Sequence, residues 1–284
     1  MPYVSVGTEN SGAIELHYED HGAGPPVVLI HSYPLSGRAW DRQVPALLAA
    51  GHRVITYDRR GFGNSSQPAT GYDYDTFAED LHALLEALDL RGAVLVGHSM
   101  GTGEVTRYLG SYGSGRVAKG VLVSPIPPFL LQTGDNPEGL PASLFDGFAQ
   151  AATADTPAWM KGFLDNFYDI DQFGGTLVSD QAFQFSWNIA AAASATAAVA
   201  CITTWQTDFR DDLPKIDVPV LVVQGDADRI LPYPNTGKRL PGLIKDMHLV
   251  VIDGGPHAIA WTHAGQVNRA LLDFLAEHGS QHRR

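Results

Sequence analysis

Ser99 stands in Gly97-His98-Ser99-Met100-Gly101, and the apolar run Ala93 to Val96 leads directly into it. Beyond it the chain reads Thr102-Gly103-Glu104-Val105-Thr106-Arg107-Tyr108-Leu109, a helix start. A strand that breaks into a helix through a glycine-flanked serine is a nucleophile elbow. The turn is so tight that its flanking positions tolerate little beyond hydrogen, and the serine Oγ is thrust past the sheet end. A serine hydroxyl is a weak nucleophile at neutral pH. It needs a base within hydrogen-bond reach, and the base needs an acceptor that fixes its tautomer. Both are available later in the chain. Gln224-Gly225-Asp226-Ala227-Asp228 follows the apolar run Val220 to Val223, and Asp253-Gly254-Gly255-Pro256-His257 follows His248 to Ile252. Together these residues predict acyl transfer through a serine-bound intermediate.

Asp226 and Asp228 compete for the acceptor role. In a Gly-Asp-x-Asp turn the second carboxylate usually points toward the histidine and the first caps the turn, which favours Asp228. Among the eleven histidines only His257 follows the last apolar run through a Gly-Gly-Pro turn. His263 falls in a helical stretch and is expected to be a packing residue, and the His98 side chain is expected to point away from Ser99. The negative oxygen of a tetrahedral intermediate needs at least two preorganised donors, and losing one costs on the order of 3 kcal/mol. The amide of Met100, directly after the nucleophile, is one candidate. The amide of Tyr33, in His31-Ser32-Tyr33-Pro34 after the run Val27 to Ile30, is the other, with His31 ordering that loop. Asp58-Arg59-Arg60-Gly61 opens no phosphate-binding helix, so an ion-pair network bracing the loops is the better reading. No His-Glu-x-x-His zinc helix occurs, the only glycine-rich strand-to-helix turn carries the serine, and neither a metal nor another cofactor is expected.

The elements that must hold these residues are short apolar runs separated by helical stretches. Val27 to Ile30, Arg53 to Tyr57, Ala93 to Val96, Gly120 to Val123, Val220 to Val223 and His248 to Ile252 read as strands buried on both faces. Such runs make an α/β protein with a mostly parallel central sheet flanked by helices. The strand-end order Ser, Asp, His is that of the α/β-hydrolase fold. Ile14 to Tyr18 alternates like an edge strand, with Val4 to Val6 as its partner, and Thr76 to Leu88 reads as one helix. Between Ser124 and Val218 no strand is expected, only helical patterns over 144–152, 158–168 and 180–203, too long for an ordinary connection. Residues 125–217 are therefore read as a helical cap inserted before the later strands, with Pro125 to Pro128 and Leu213 to Pro219 as hinges. The core is then 1–124 and 218–284, and Gln281 to Arg284 is expected to fray.

The chain has 284 residues, 44% hydrophobic, enough for a sizeable core. Its net charge of −12 argues against nucleic acid and anionic membrane surfaces as partners. Cys201 is the only cysteine, so no internal disulfide is possible. The first residues have neither a basic region nor an apolar core, and no apolar run is long enough to span a bilayer. A soluble, cytoplasmic protein is expected.

Beyond this serine chemistry, the chain resembles the cofactor-free bacterial haloperoxidases, α/β-hydrolases also described as perhydrolases and arylesterases, and especially the Streptomyces-type bromoperoxidases. The resemblance rests on Tyr18-Glu19-Asp20-His21-Gly22, Pro34-Leu35-Ser36-Gly37, Asp58 to Gly63, Ser65-Ser66-Gln67-Pro68, Gly71 to Phe77, Ser99 to Val105, Thr203-Thr204-Trp205, Thr207-Asp208-Phe209, Ile216 to Pro219 and Trp261-Thr262-His263. These stretches run from about residue 14 to 275. The resemblance implies Ser99, Asp228 and His257 as the catalytic triad and no cofactor. It implies a small carboxylic acid or ester and hydrogen peroxide as substrates, with a peracid as product, and a homo-oligomer. A plain carboxylesterase, lactonase or lactamase is the alternative, and a non-catalytic scaffold a more distant one. Ser32, His98 and Ala258 depart from the family, which usually has glycine, an aromatic residue and glycine there. Ser32 is expected to narrow the acyl pocket or shift the Tyr33 amide. The pocket itself is expected to be small and apolar, walled by Tyr33, Ile126, Phe129, Trp187, Trp205 and Ile259.

Overall fold

The third strand, Pro26–Ile30, sends Val27 and Leu29 to one face of a sheet and Val28 and Ile30 to the other, and all four are fully buried. A strand covered on both sides has no polar face, which is why its sequence is continuously apolar. The computed structural model describes residues 2–277, so the end of the core segment and the expected fraying of Gln281 to Arg284 lie outside the described residues. The eight strands are β1 (Tyr3–Glu9), β2 (Gly12–His21), β3 (Pro26–Ile30), β4 (Arg53–Tyr57), β5 (Ala93–His98), β6 (Val117–Val123), β7 (Val220–Gly225) and β8 (Met247–Ile252). They form one sheet in the order β1-β2-β4-β3-β5-β6-β7-β8. The pairs β1–β2 and β2–β4 are antiparallel and every later pair is parallel. Ile14 to Tyr18 is thus not an edge. β1 pairs with Gly12 to His17 and β4 with Tyr18 to His21, and the other side of Ile14 to His17 is met by the loop after β4, where Ser66 Oγ and Ser65 Oγ accept from the Glu15 and His17 amides (both 2.9 Å).

Helices cover both faces. On one, α1 (Val44–Ala49) and the later helices α9 (Ile259–Thr262) and α10 (Ala264–Ala276) place Leu47, Ile259, Val267, Leu271 and Phe274 against Val27, Leu29, Val96 and Val223. On the other, α2 (Tyr74–Ala87) and α3 (Met100–Tyr112) place Leu81, Leu84, Leu85, Val105 and Leu109 against Val28, Ile30, Leu95 and Val222. Each such side chain contributes about 1.5–3 kcal/mol when fully buried. α2 starts two residues earlier than its apolar spacing suggests because Asp73 caps it, its Oδ1 accepting from the Thr76 amide at 2.9 Å.

Between β6 and β7 come α4 (Ala142–Ala154), α5 (Thr156–Tyr168), α6 (Ile170–Phe173), α7 (Asp180–Ala190) and α8 (Ala195–Thr204). Their apolar faces join Tyr33, Phe62 and Met100 in a third core cluster at the sheet's carboxyl end. The helical pattern over 180–203 is two helices, bent by 94° at the break. Ser194 makes the break. Its amide donates to the Gly61 carbonyl (2.8 Å) and its Oγ accepts from the Ala197 amide (3.3 Å), so a new helix is capped where the old one stops. The two expected hinges are tied down. The Ile126 amide donates to Thr102 Oγ1 on α3 (3.0 Å), Phe209 donates to the Pro128 carbonyl (3.0 Å), and Leu213 is fully buried. No single helix among the described residues is long and apolar enough to cross a membrane.

Candidate active site

The break between β5 and α3 is held by close backbone approach. A Cβ on Gly97 would lie 2.4 Å from the Gly101 carbonyl oxygen, and one on Gly101 would lie 2.4 Å from that of Ile30. Any side chain at either position would push the strand off the helix. Between them Ser99 has φ 54° and ψ −117°, a left-handed conformation that non-glycine residues rarely adopt and that here projects Oγ from the sheet end.

Ser99 Oγ is 2.8 Å from His257 Nε2, and His257 Nδ1 is 2.7 Å from Asp228 Oδ2. A carboxylate oxygen only accepts, so Nδ1 carries the proton and Nε2 presents its lone pair to the serine hydroxyl. The other carboxylate oxygen, Asp228 Oδ1, accepts from the amides of Ile230 (2.9 Å) and Leu231 (2.8 Å), which fixes its rotamer. All three side chains are buried. Asp226 is elsewhere: its Oδ1 accepts from the Gly254 amide at 2.8 Å and staples the acid loop to the histidine loop.

The Tyr33 and Met100 amides donate to no protein acceptor among the described residues. Tyr33 is fixed through its side chain, whose hydroxyl donates to the Ala198 carbonyl (3.0 Å) and accepts from Trp159 Nε1 (2.9 Å). His31 orders the loop before it. Burial first, and the Arg59 charge second, hold its imidazole well below the usual histidine range, so it is neutral. Its Nδ1 donates to the Ser32 carbonyl (2.8 Å), and its Nε2 accepts from the Arg59 amide (2.9 Å). The basic pair brackets these loops through ion pairs, Arg59 with Glu104 (2.8 Å) and Arg60 with Asp80 (2.6 Å).

Ser99 opens on a cavity of about 690 Å³. That lies well inside the range of drug-sized ligand sites, and the expectation of a small pocket is wrong. Its walls are largely apolar side chains of α4 and α5, among them Leu144, Phe145, Phe148, Trp159 and Phe163, with Ile230 and Leu231 from the acid loop. Of the expected walls Ile126 and Trp205 line it, whereas Tyr33, Phe129, Trp187 and Ile259 do not. Ser32 does not line it either. Its Oγ is buried without a hydrogen-bond partner among the described residues.

A family model described as the alpha/beta hydrolase fold matches residues 25–264. The chain belongs to the alpha/beta hydrolase fold family. A Synechocystis sp. protein named provisionally as a non-heme chloroperoxidase is 61% identical over 275 residues, covering 97% of this chain and all of the relative. A bifunctional esterase/perhydrolase of Acinetobacter calcoaceticus is 36% identical, covering 97% of this chain and 99% of the relative. The crystal structure of a bromoperoxidase from Bacillus anthracis superposes with a TM-score of 0.93 at 46% identity, covering 97% and 99% of the two chains.

Two residues of this hydrolase have more to do with the site than their sequence context suggests. His98 makes no hydrogen bond to Ser99 among the described residues. Its Nε2 lies 3.0 Å from the His257 carbonyl, which also accepts from Ser124 Oγ at 3.1 Å. Burial, then the neighbouring His257, push the His98 imidazole down to about 3, so it is a neutral donor that holds the backbone of His257. Ser124, at φ 47°, carries no motif, and only its place at the end of β6 could have suggested a role. His263 packs edge-on against Phe173 and its Nδ1 lies 2.9 Å from Thr262 Oγ1, a packing residue as expected. His17 and His21 are four residues apart, but on the extended β2 that separates them by about 13 Å. Among the described residues no three His, Cys, Asp or Glu side chains converge to hold a metal ion.

Proposed function

We propose that this α/β-hydrolase is a serine acyl-transferase of the cofactor-free haloperoxidase and perhydrolase type, with esterase activity. The observation that carries the reading is the continuous chain Ser99–His257–Asp228, at 2.8 and 2.7 Å, opening on an apolar cavity. Ser99 Oγ attacks the carbonyl of a carboxylic ester or acid while His257 Nε2 takes its proton. Asp228 holds the Nδ1 proton and stabilises the imidazolium that forms. The amides of Tyr33 and Met100 donate to the tetrahedral oxyanion. Its collapse expels the alcohol, or water from an acid, which leaves with the proton from His257. Hydrogen peroxide, deprotonated at the same Nε2, then attacks the acyl-enzyme, and a peracid departs as Ser99 regains its proton. The peracid oxidises bromide or chloride to the hypohalous acid and returns to the carboxylic acid. Relatives named as chloroperoxidases and as an esterase/perhydrolase support this sequence of steps.

In the same reading residues 125–217 act as the cap that walls the acyl site over the core of 1–124 and 218–284. Self-association, a cytoplasmic location and the lack of nucleic-acid or membrane partners belong to the proposal too. The net charge of −12 supports the last of these. The cavity volume favours a second reading, plain hydrolysis of a larger ester, because acetate would leave most of the space unfilled. Bromination of a dione by peroxide and bromide, measured in acetate and in a carboxylate-free buffer, separates the two. The proposal expects bromination in acetate only. Bromination that persists without carboxylate overturns the peracid route, and ester turnover without bromination in either buffer favours the second reading.

A further inference from the structure

Beneath the elbow lies a charge cluster that none of these steps uses. Arg59 and Glu104 are fully buried, and neither lines the cavity. Arg59 Nε donates to Glu104 Oε2 at 2.8 Å, and the Tyr57 hydroxyl donates to Glu104 Oε1. The Arg59 Nη2 donates to the His31 carbonyl at 3.1 Å, and its backbone amide donates to His31 Nε2 at 2.9 Å. One guanidinium nitrogen, Nη1, is buried with no acceptor among the described residues.

Stability is a weak account of this pair. Desolvating two charges commonly cancels or exceeds their attraction, and an unpaired donor adds to the cost. What the pair does join is specific. Glu104 is on α3, the helix that begins with Met100, and His31 lies two residues before Tyr33. One rigid, planar guanidinium therefore bridges the helix that carries one unpaired amide and the loop that carries the other. Oxyanion donors must be held to within about 0.5 Å of their working geometry, and these two are far apart in the chain.

We propose that Arg59 and Glu104 are positioning residues that set the spacing of the Tyr33 and Met100 amides, and hence the strength of the oxyanion hole. The inference rests on the reading of Ser99 as the nucleophile and of those amides as its oxyanion donors. Loosening the strut should weaken binding of the tetrahedral state and leave binding of the planar ester almost unchanged.

The test replaces the pair by apolar residues of similar volume, Arg59→Met with Glu104→Leu, a change that buried ion pairs often tolerate in stability. Melting temperature, kcat and KM on p-nitrophenyl butyrate, and inhibition by a trifluoromethyl ketone are measured. The strut predicts a melting temperature within a few degrees of wild type and kcat lower by about 30- to 100-fold. KM should stay within about twofold, with ketone affinity falling in step with kcat. Arg59→Lys, which keeps the charge on Glu104 but gives up the His31 carbonyl, should fall between the two. A folded double variant with near wild-type kcat overturns the proposal, as does a loss in kcat matched by an equal rise in KM. Should the double variant fail to fold, a folded Arg59→Lys with full kcat overturns it. Wild-type protein that an organophosphonate does not label at Ser99 overturns the nucleophile reading itself, a distinct result.

Discussion

The sheet end and the helical insertion contribute to the same cavity by different forces. At the sheet end each proposed reacting group is held by directional bonds. Asp228 is locked by two amides, the His257 carbonyl is held by His98 and Ser124, and the Tyr33 loop is pinned by His31 and Arg59. In the insertion, α4 and α5 meet the cavity with aromatic and aliphatic side chains, and Ala158, Gly162 and Asn166 on α5 are exposed where they line it. Hydrogen bonds fail steeply with distance and angle, whereas apolar burial has no direction and tolerates repacking. In the proposed reading, reaction geometry belongs to the first region and the size of the substrate to the second.

Substitutions at the sheet end should therefore be severe and specific. Ser99→Ala is expected to lower ester turnover by at least about 10⁴-fold with the fold intact and to abolish organophosphonate labelling, which circular dichroism and mass spectrometry will show. Asp228→Asn leaves the packing but withdraws the carboxylate from His257, and kcat should fall by about 10³- to 10⁴-fold. Asp226→Asn, which loosens only the Gly254 staple, should retain most activity. The opposite ranking of the two aspartates would break the assignment.

The polar locking of the core also has a pH signature. Burial, opposed by Arg60, pushes the Asp80 carboxyl from its usual range up to about 6. Below about pH 4 it is protonated in both folded and unfolded chains. Between about pH 4 and 6 only the folded state keeps the proton, so this group's contribution to stability falls by about 3 kcal/mol as pH rises through that window. Urea unfolding of wild type and Asp80→Asn should give a stability difference that declines from pH 4 to 6. A flat or rising difference would contradict the buried-carboxyl account.

The insertion should respond more mildly and through size. Gly162 lies mid-helix in α5, on the cavity, and a Cβ there would touch nothing within 4 Å. Gly162→Ala should stabilise the fold by up to about 1 kcal/mol with activity kept. Gly162→Phe should lower kcat/KM for long or branched esters several-fold while sparing acetate esters. An equal loss across an acyl-length series would blur the division between the two regions.

The convergence of Ser99, His257 and Asp228 could be read from the chain because it depends on local rules. Gly97 and Gly101 announce a turn that only hydrogen fits, and Asp228 and His257 stand just past apolar runs that can only be buried strands. The ranking of Asp228 over Asp226 agrees with the distances for the same reason: turn geometry is local. The failures are of another kind. The helical periodicity over 180–203 could not reveal that Ser194 would donate to Gly61, far away in sequence, and start a second helix. Nor could the pattern of β2 show that Ser65 and Ser66, in the loop after β4, would bond to its other side. His98 could be expected to point away from Ser99, because an elbow dictates where its serine points, but not which loop would come to rest on His98 itself. The cavity's size and walls depend on how α4 and α5 stand apart. Non-directional contacts between distant segments decide that, and it exists only once the whole chain is packed.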